Sequence, residues 1–102
     1  MVRATTPTFV LTFAGIDLTE ATEHLVTIKQ GATELTKSGG ALSVTATTIS
    51  VFLSQAETLM FNAGKAEIQA NWVYADDTRA CSNIATIDVG RNLLAEVVNA
   101  GE

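Results

Sequence analysis

Residues 48–61 read TISVFLSQAETLMF, and this stretch decides the fold. Its first half alternates. Ile49, Val51 and Leu53 point one way and Thr48, Ser50 and Phe52 the other, the period of a half-buried strand. Its second half changes period. Ser54-Gln55-Ala56-Glu57 fits a capping box, in which the Ser54 hydroxyl accepts from the Glu57 amide and the Glu57 carboxylate reaches back to the Ser54 amide. Thr58 stands where a hydrophobic staple partner for Leu53 belongs, so that staple is weak. Leu59, Met60 and Phe61 give the short helix, spanning about 55–61, an apolar underside. Asn62-Ala63-Gly64 ends it, with Gly64 free to turn left-handed. The reading is strand, capped helical turn, strand, with the turn closing one end of a β-sandwich.

The pattern extends in both directions. Upstream, Pro7 suits a strand start or a sheet edge, and Thr8–Ala14 alternates with Phe9, Leu11 and Phe13 on one face. Gly15–Thr19 breaks the alternation, and Leu18–Thr22 has room for a single helical turn. Glu23–Gln30 is a strand with Val26 and Ile28 inward. Thr33–Lys37, with Leu35 as its one large apolar residue, suits a sheet edge. Ala41–Ala46 alternates on Leu42, Val44 and Ala46. Downstream, Lys65–Tyr74 places Ala66, Ile68, Ala70, Trp72 and Tyr74 on one face, with room at the alanines for Phe61 or Met60. Asp76-Asp77-Thr78 is a hairpin turn. Arg79–Val89 returns with Cys81, Asn83, Ala85, Ile87 and Val89 in one phase and Ile84 out of it, which predicts a bulge near Ser82-Asn83. Leu93, Leu94, Val97 and Val98 fall at helical spacing, which predicts a short terminal helix over 92–98. Seven short strands separated by turn signals predict one all-β domain over residues 1–102, an antiparallel sandwich of immunoglobulin-like or jelly-roll-like type.

Bulk composition bounds the function. A chain of 102 residues with 47% hydrophobic and 17% charged residues builds a core and leaves much of its surface uncharged. Six scattered Lys and Arg against a net charge of −5 disfavour a phosphate-tracking patch, and so disfavour nucleic acid and anionic membrane as partners. The lone Cys81 forms no internal disulfide. The start, MVRATTPTF, has no signal-peptide core, and no run reaches the about 18 apolar residues of a membrane span. Synthesis and folding in a reducing bacterial cytoplasm follow as the expectation.

Catalytic chemistry finds little support. His24 is the single histidine, and a Ser-His-Asp arrangement has to use it. A strand histidine near a sheet end is the better reading. No ligand spacing joins His24 to Cys81 or to carboxylates, so neither metal nor cofactor is expected. Cys81 reads as a small core residue rather than a nucleophile. Asp76-Asp77 reads as a solvated turn before a cation site. Trp72 and Tyr74 could stack a sugar, but they share a face with Ile68, which favours core packing. The expectation is a non-enzymatic protein. Its candidate contact residues are Phe52 with Val73, and the stripe Leu93, Leu94, Val97 and Val98, which either covers the open end of its own sandwich or docks on a neighbouring subunit.

Five pieces in order carry a family resemblance: ATTPTFVLTF (4–13), LVTIKQG (25–31), ISVFLSQAETLMF (49–61), AEIQANWVYADDTRACSNIATIDV (66–89) and the late Leu93-Leu94. Together they resemble the N-terminal domain of the baseplate upper protein of phages infecting Gram-positive bacteria, and stand-alone prophage proteins of similar length. The most specific pieces are Leu53–Thr58 followed by Phe61, and the Ile68-Gln69 pair. The resemblance implies a β-sandwich building block of a phage tail or baseplate. Such a block binds copies of itself or adjoining tail proteins and resides in the virion once assembled. The alternative from the residues is a carbohydrate- or cell-surface-binding β-sandwich module.

Overall fold

The computed structural model describes residues 1–99 and holds two antiparallel sheets. The strands are β1 (Thr8–Thr12), β2 (Glu23–Gln30), β3 (Thr33–Ser38), β4 (Leu42–Val44), β5 (Thr48–Phe52), β6 (Gly64–Val73), β7 (Arg79–Cys81) and β8 (Ala85–Val89), with one short helix, α1 (Gln55–Thr58), after β5. One sheet has the order β1-β5-β4. The other runs β3-β2-β6-β7, with β8 also pairing with β6. This is the all-β sandwich expected from the alternation.

The inward residues form one core. Val26 and Ile28 from β2, Ile49 and Val51 from β5, and Ala66, Ile68, Ala70 and Trp72 from β6 are buried, together with Leu18, Leu53, Phe61, Ile87 and Val89. The register explains the layering. Val26 stands opposite Ala70 and Ile28 opposite Ile68, so inward residues meet across the central pair of the larger sheet. Trp72 meets Phe13 edge to face, with ring centroids 5.2 Å apart. As β3 has only one neighbour in the larger sheet, Leu35 does lie on an edge strand.

The capping box forms as the sequence predicts. Glu57 N donates to Ser54 Oγ at 3.2 Å, and Ser54 N donates to Glu57 Oε1 at 2.8 Å. The helix is shorter than the span 55–61. Its last turn tightens, with Met60 N donating to Glu57 O and Phe61 N to Thr58 O. Phe61 drops into the core, whereas Met60 is 44% exposed and does not fill the space beside Ala66 and Ala70. Gly64 opens β6 at φ +132° instead of capping the helix in the left-handed well. Thr58 is wholly buried, and its hydroxyl donates to the carbonyls of Thr5 and Gln55. The turn therefore fastens the N-terminal segment as well as closing the sandwich end. Ser54→Ala removes the cap acceptor, and denaturant unfolding is expected to show a loss of about 0.5–2 kcal/mol. An unchanged midpoint would mean the box contributes nothing.

Further expectations differ from the structure toward the C-terminal end. The predicted last strand is split into β7 and β8, giving eight strands among the described residues. Asn71 stands opposite Cys81 but Ile68 opposite Ala85, so four steps along one strand face three along the other. That is a bulge at Ser82–Ile84. Ser82 anchors it, accepting from Ala70 N at its Oγ and from Gln69 Nε2 at its carbonyl. The extra residue reverses the phase. Ala80 packs against the core and Cys81 is exposed, not a core residue. The second difference is the predicted terminal helix. Residues 92–98 are not helical; they run as an irregular segment. Seven residues with no face to pack on fall below the length at which a helix holds in water. Gln55 grips the segment instead, donating from Nε2 to Val98 O and accepting from Val98 N, both at 2.8 Å.

Candidate functional site

The outward residues of β1, β5 and β4 form a face of the smaller sheet. Thr8, Val10 and Thr12 alternate with the inward Phe9 and Leu11, and Thr48, Ser50 and Phe52 with the inward Ile49 and Val51. The register brings Thr8 opposite Phe52, Val10 opposite Ser50, and Ser50 opposite Ser43. None of these seven residues is charged. Val10 is 59% exposed and Phe52 51%. The alternation alone places Val10 on this face, yet Val10 is absent from the contact residues chosen by sequence.

Val73 does not join Phe52. It lies on β6 opposite Glu23 and Arg79, and its phase points it out of the larger sheet, away from the smaller one. Its carbonyl accepts from the Thr22 N–H and hydroxyl. The two residues belong to opposite faces of the sandwich. The larger sheet's outer face is mostly polar around Leu25 and Val73, with Thr27 and Thr36 hydroxyls paired at 3.0 Å and Arg79 donating to Asn71 Oδ1. Ile84, pushed out by the bulge, is exposed there.

The terminal stripe is open to solvent. Leu93 is 95% exposed, and Leu94, Val97 and Val98 are each about half exposed, so the stripe does not cover the end of its own sandwich. Asn92 Nδ2 donates to Arg3 O, which pins the start of the segment beside the N-terminal strap.

Between the two layers the sandwich is open on one side. A groove of about 790 Å³ runs between β1 and the β7–β8 edge, walled by Phe9, Leu11 and Phe13 on one side and by Ile68, Trp72 and Ile87 on the other. The opposite side is closed by Lys37, whose Nζ donates to Phe52 O at 2.7 Å and to Glu57 Oε1 at 2.8 Å. Burial alone acts to raise the Glu57 carboxyl pKa. The Lys37 ammonium and the Ser54 amide outweigh it and hold the carboxyl below its ordinary range.

The residues weighed for chemistry are dispersed. His24 Nε2 donates to Leu18 O at 2.7 Å on the inner face, since a carbonyl oxygen can only accept, while Cys81 lies on the outer face. Asp76 Oδ1 accepts from the Thr78 amide and hydroxyl, and those bonds lower its pKa; Asp77 takes the left-handed position of the turn at φ +67°. Among the described residues, no three His, Cys, Asp or Glu side chains gather in metal-binding reach. Trp72 is 4% exposed, and its Nε1 donates to Tyr74 Oη at 3.1 Å, so the ring on which sugar stacking would depend is in the core. No helix among the described residues is long and apolar enough to cross a membrane. Comparison with protein-family models finds no match, and comparison with curated proteins finds no matching relative.

Proposed function

We propose that this chain is a non-enzymatic structural subunit of a phage or prophage tail or baseplate, working by self-association and by contact with neighbouring tail proteins. The observation that carries this reading is the uncharged outer face of the β1-β5-β4 sheet, where Val10 and Phe52 stand exposed among threonines and serines. The centres of protein contacts are depleted in charge and enriched in aromatic side chains. A chain of net charge −5 that keeps charge off one whole sheet face has a surface suited to another protein. The exposed Leu93, Leu94, Val97 and Val98 supply a second apolar element. The phage assignment is supported by the ordered sequence pieces from residue 4 to residue 94.

The test is capture from an induced lysogen that carries the gene with an affinity tag. Baseplate or tail proteins are expected to co-purify with the tagged chain in stoichiometric amounts. A chain recovered alone, with tail particles passing through the column, would contradict the reading.

A further inference from the structure

The outer strand edges of the two sheets are not equivalent. β3 carries Glu34 and Lys37, charges of the kind that discourage pairing. β4 has only three residues, between a 3₁₀ turn and a bend. The β8 edge is occupied at Asp88 and Gly90 by hydrogen bonds from Met1 and Arg3, with Gly90 N donating back to Met1 O, and the bulge interrupts it beyond Ala85. β1 differs from all three. It reads Thr-Phe-Val-Leu-Thr, without a charge or an interruption.

The bonds at its two ends set its phase. Leu53 N donates to Pro7 O and Phe13 N to Thr47 O, so the odd-numbered residues exchange bonds with β5. The main-chain N–H and C=O groups of Thr8, Val10 and Thr12 therefore face the open side. Among the described residues, no loop or side chain bonds to them. The groove between the layers lies along this edge. A strand laid against β1 would present alternate side chains to the mouth of this groove, where Asn83, Ala85 and Thr86 are exposed above the nearly buried Ile68, Trp72 and Ile87.

We propose that a second copy of this chain fills that position, its β1 pairing antiparallel with β1 about a twofold axis at Val10. The proposal rests on the self-association reading above and assigns it a site. In this register Val10 exchanges N–H···O=C bonds with Val10 of the second copy. Thr8 stands opposite Thr12, and Phe9 opposite Leu11. The exposed flanks of Phe9 and Leu11 of the two copies meet across the joined edge, each still packed on its own core, and the two three-stranded sheets become one of six. Apolar side chains meet apolar ones and threonine meets threonine. No like charges converge, although each chain carries a net charge of −5. The match is self-complementary, as a twofold contact requires.

Val10→Pro tests the site. It deletes an N–H that points away from β5, so the β1–β5 ladder keeps its bonds. In light scattering coupled to gel filtration, the wild-type chain is expected to run as a dimer. The variant is expected to dissociate at least about tenfold more readily, with cooperative thermal unfolding retained. A Val10→Pro dimer as tight as the wild type would overturn the site while leaving self-association standing. A wild-type monomer at every concentration would overturn both. If Val10→Pro does not fold, Val10→Cys in a Cys81→Ser background reads the same geometry. A residue paired with itself across the twofold has its Cα atoms about 5.5 Å apart, within disulfide reach. Mild oxidation is expected to give a covalent dimer at position 10 and none from Phe52→Cys in the same background. Equal or absent cross-linking at the two positions would overturn the register.

Discussion

Phe61→Ala is expected to remove about 3–5 kcal/mol of folding free energy. The Phe61 side chain is fully buried in the same core cluster as Leu18, Leu53 and Trp72, where the capped turn enters the sandwich. Its carbonyl accepts from Arg3 Nε at 2.6 Å, so the residue is held by its backbone as well as by its ring. Truncation leaves a void that the surrounding sheets cannot close without disturbing the Ile49, Val51 and Leu53 ladder. A domain of this size has a total stability of roughly 5–15 kcal/mol, so the variant would sit near its unfolding transition at physiological temperature. Urea unfolding followed by tryptophan fluorescence is the measurement, Trp72 being the single reporter. A loss below about 1 kcal/mol would mean that the turn does not plug the core.

Lys37→Ala is expected to cost about 1.5–3 kcal/mol, the range for a hydrogen bond to a charged partner. Lys37 ties β3 of the larger sheet to both Phe52 and Glu57 beside the smaller sheet. The pair is largely sheltered, with side-chain exposures of 17% and 23%, so solvent screens it less than a surface ion pair. The effect depends on pH in a fixed direction. The Glu57 carboxyl titrates lower in the folded chain than in the unfolded one. Its contribution is therefore complete above the ordinary carboxyl value of about 4.5 and fades as pH falls through the lower folded value. The stability gap between wild type and Lys37→Ala should be full at pH 7 and narrow progressively below pH about 4.5. A gap that is constant from pH 7 to pH 3 would show that the strut does not act through the Glu57 charge.

What the sequence reveals here is mostly local. β2 is bounded by residues 23 and 30 in both the alternation and the structure, because Gly31 and the polar residue before it leave no other frame. Ser54 and Glu57 announce their box because both partners lie within four residues. Ile84, out of phase, signals the bulge. Cys81 is misplaced because its phase is counted backward from Ile87 across that bulge, and one extra residue turns a side chain to the other face. The stripe from Leu93 to Val98 has helical spacing but lacks the packing partner that turns spacing into a helix. The Lys37 strut spans twenty residues to Glu57, and its geometry appears only when the two layers are stacked. Phe52 and Val73 look alike as exposed apolar strand residues; the assignment of strands to sheets is what separates them.

For the candidate site, Phe52 and the terminal stripe are legible in the sequence as outward apolar residues. The open edge is not. Which strand lacks a neighbour depends on sheet order, and Pro7 before β1 is compatible with an edge but equally with a plain strand start. The groove beside it exists because β1 ends one layer while β7 and β8 end the other, a relation no local pattern encodes.

The proposed mode of action of this domain is through its exterior, by meeting other copies of itself. Sedimentation equilibrium of the unmodified chain across a concentration series tests that most directly. A reversible rise in mass from one chain to two or more is the predicted result. A single species of 10.7 kDa at every concentration would contradict it.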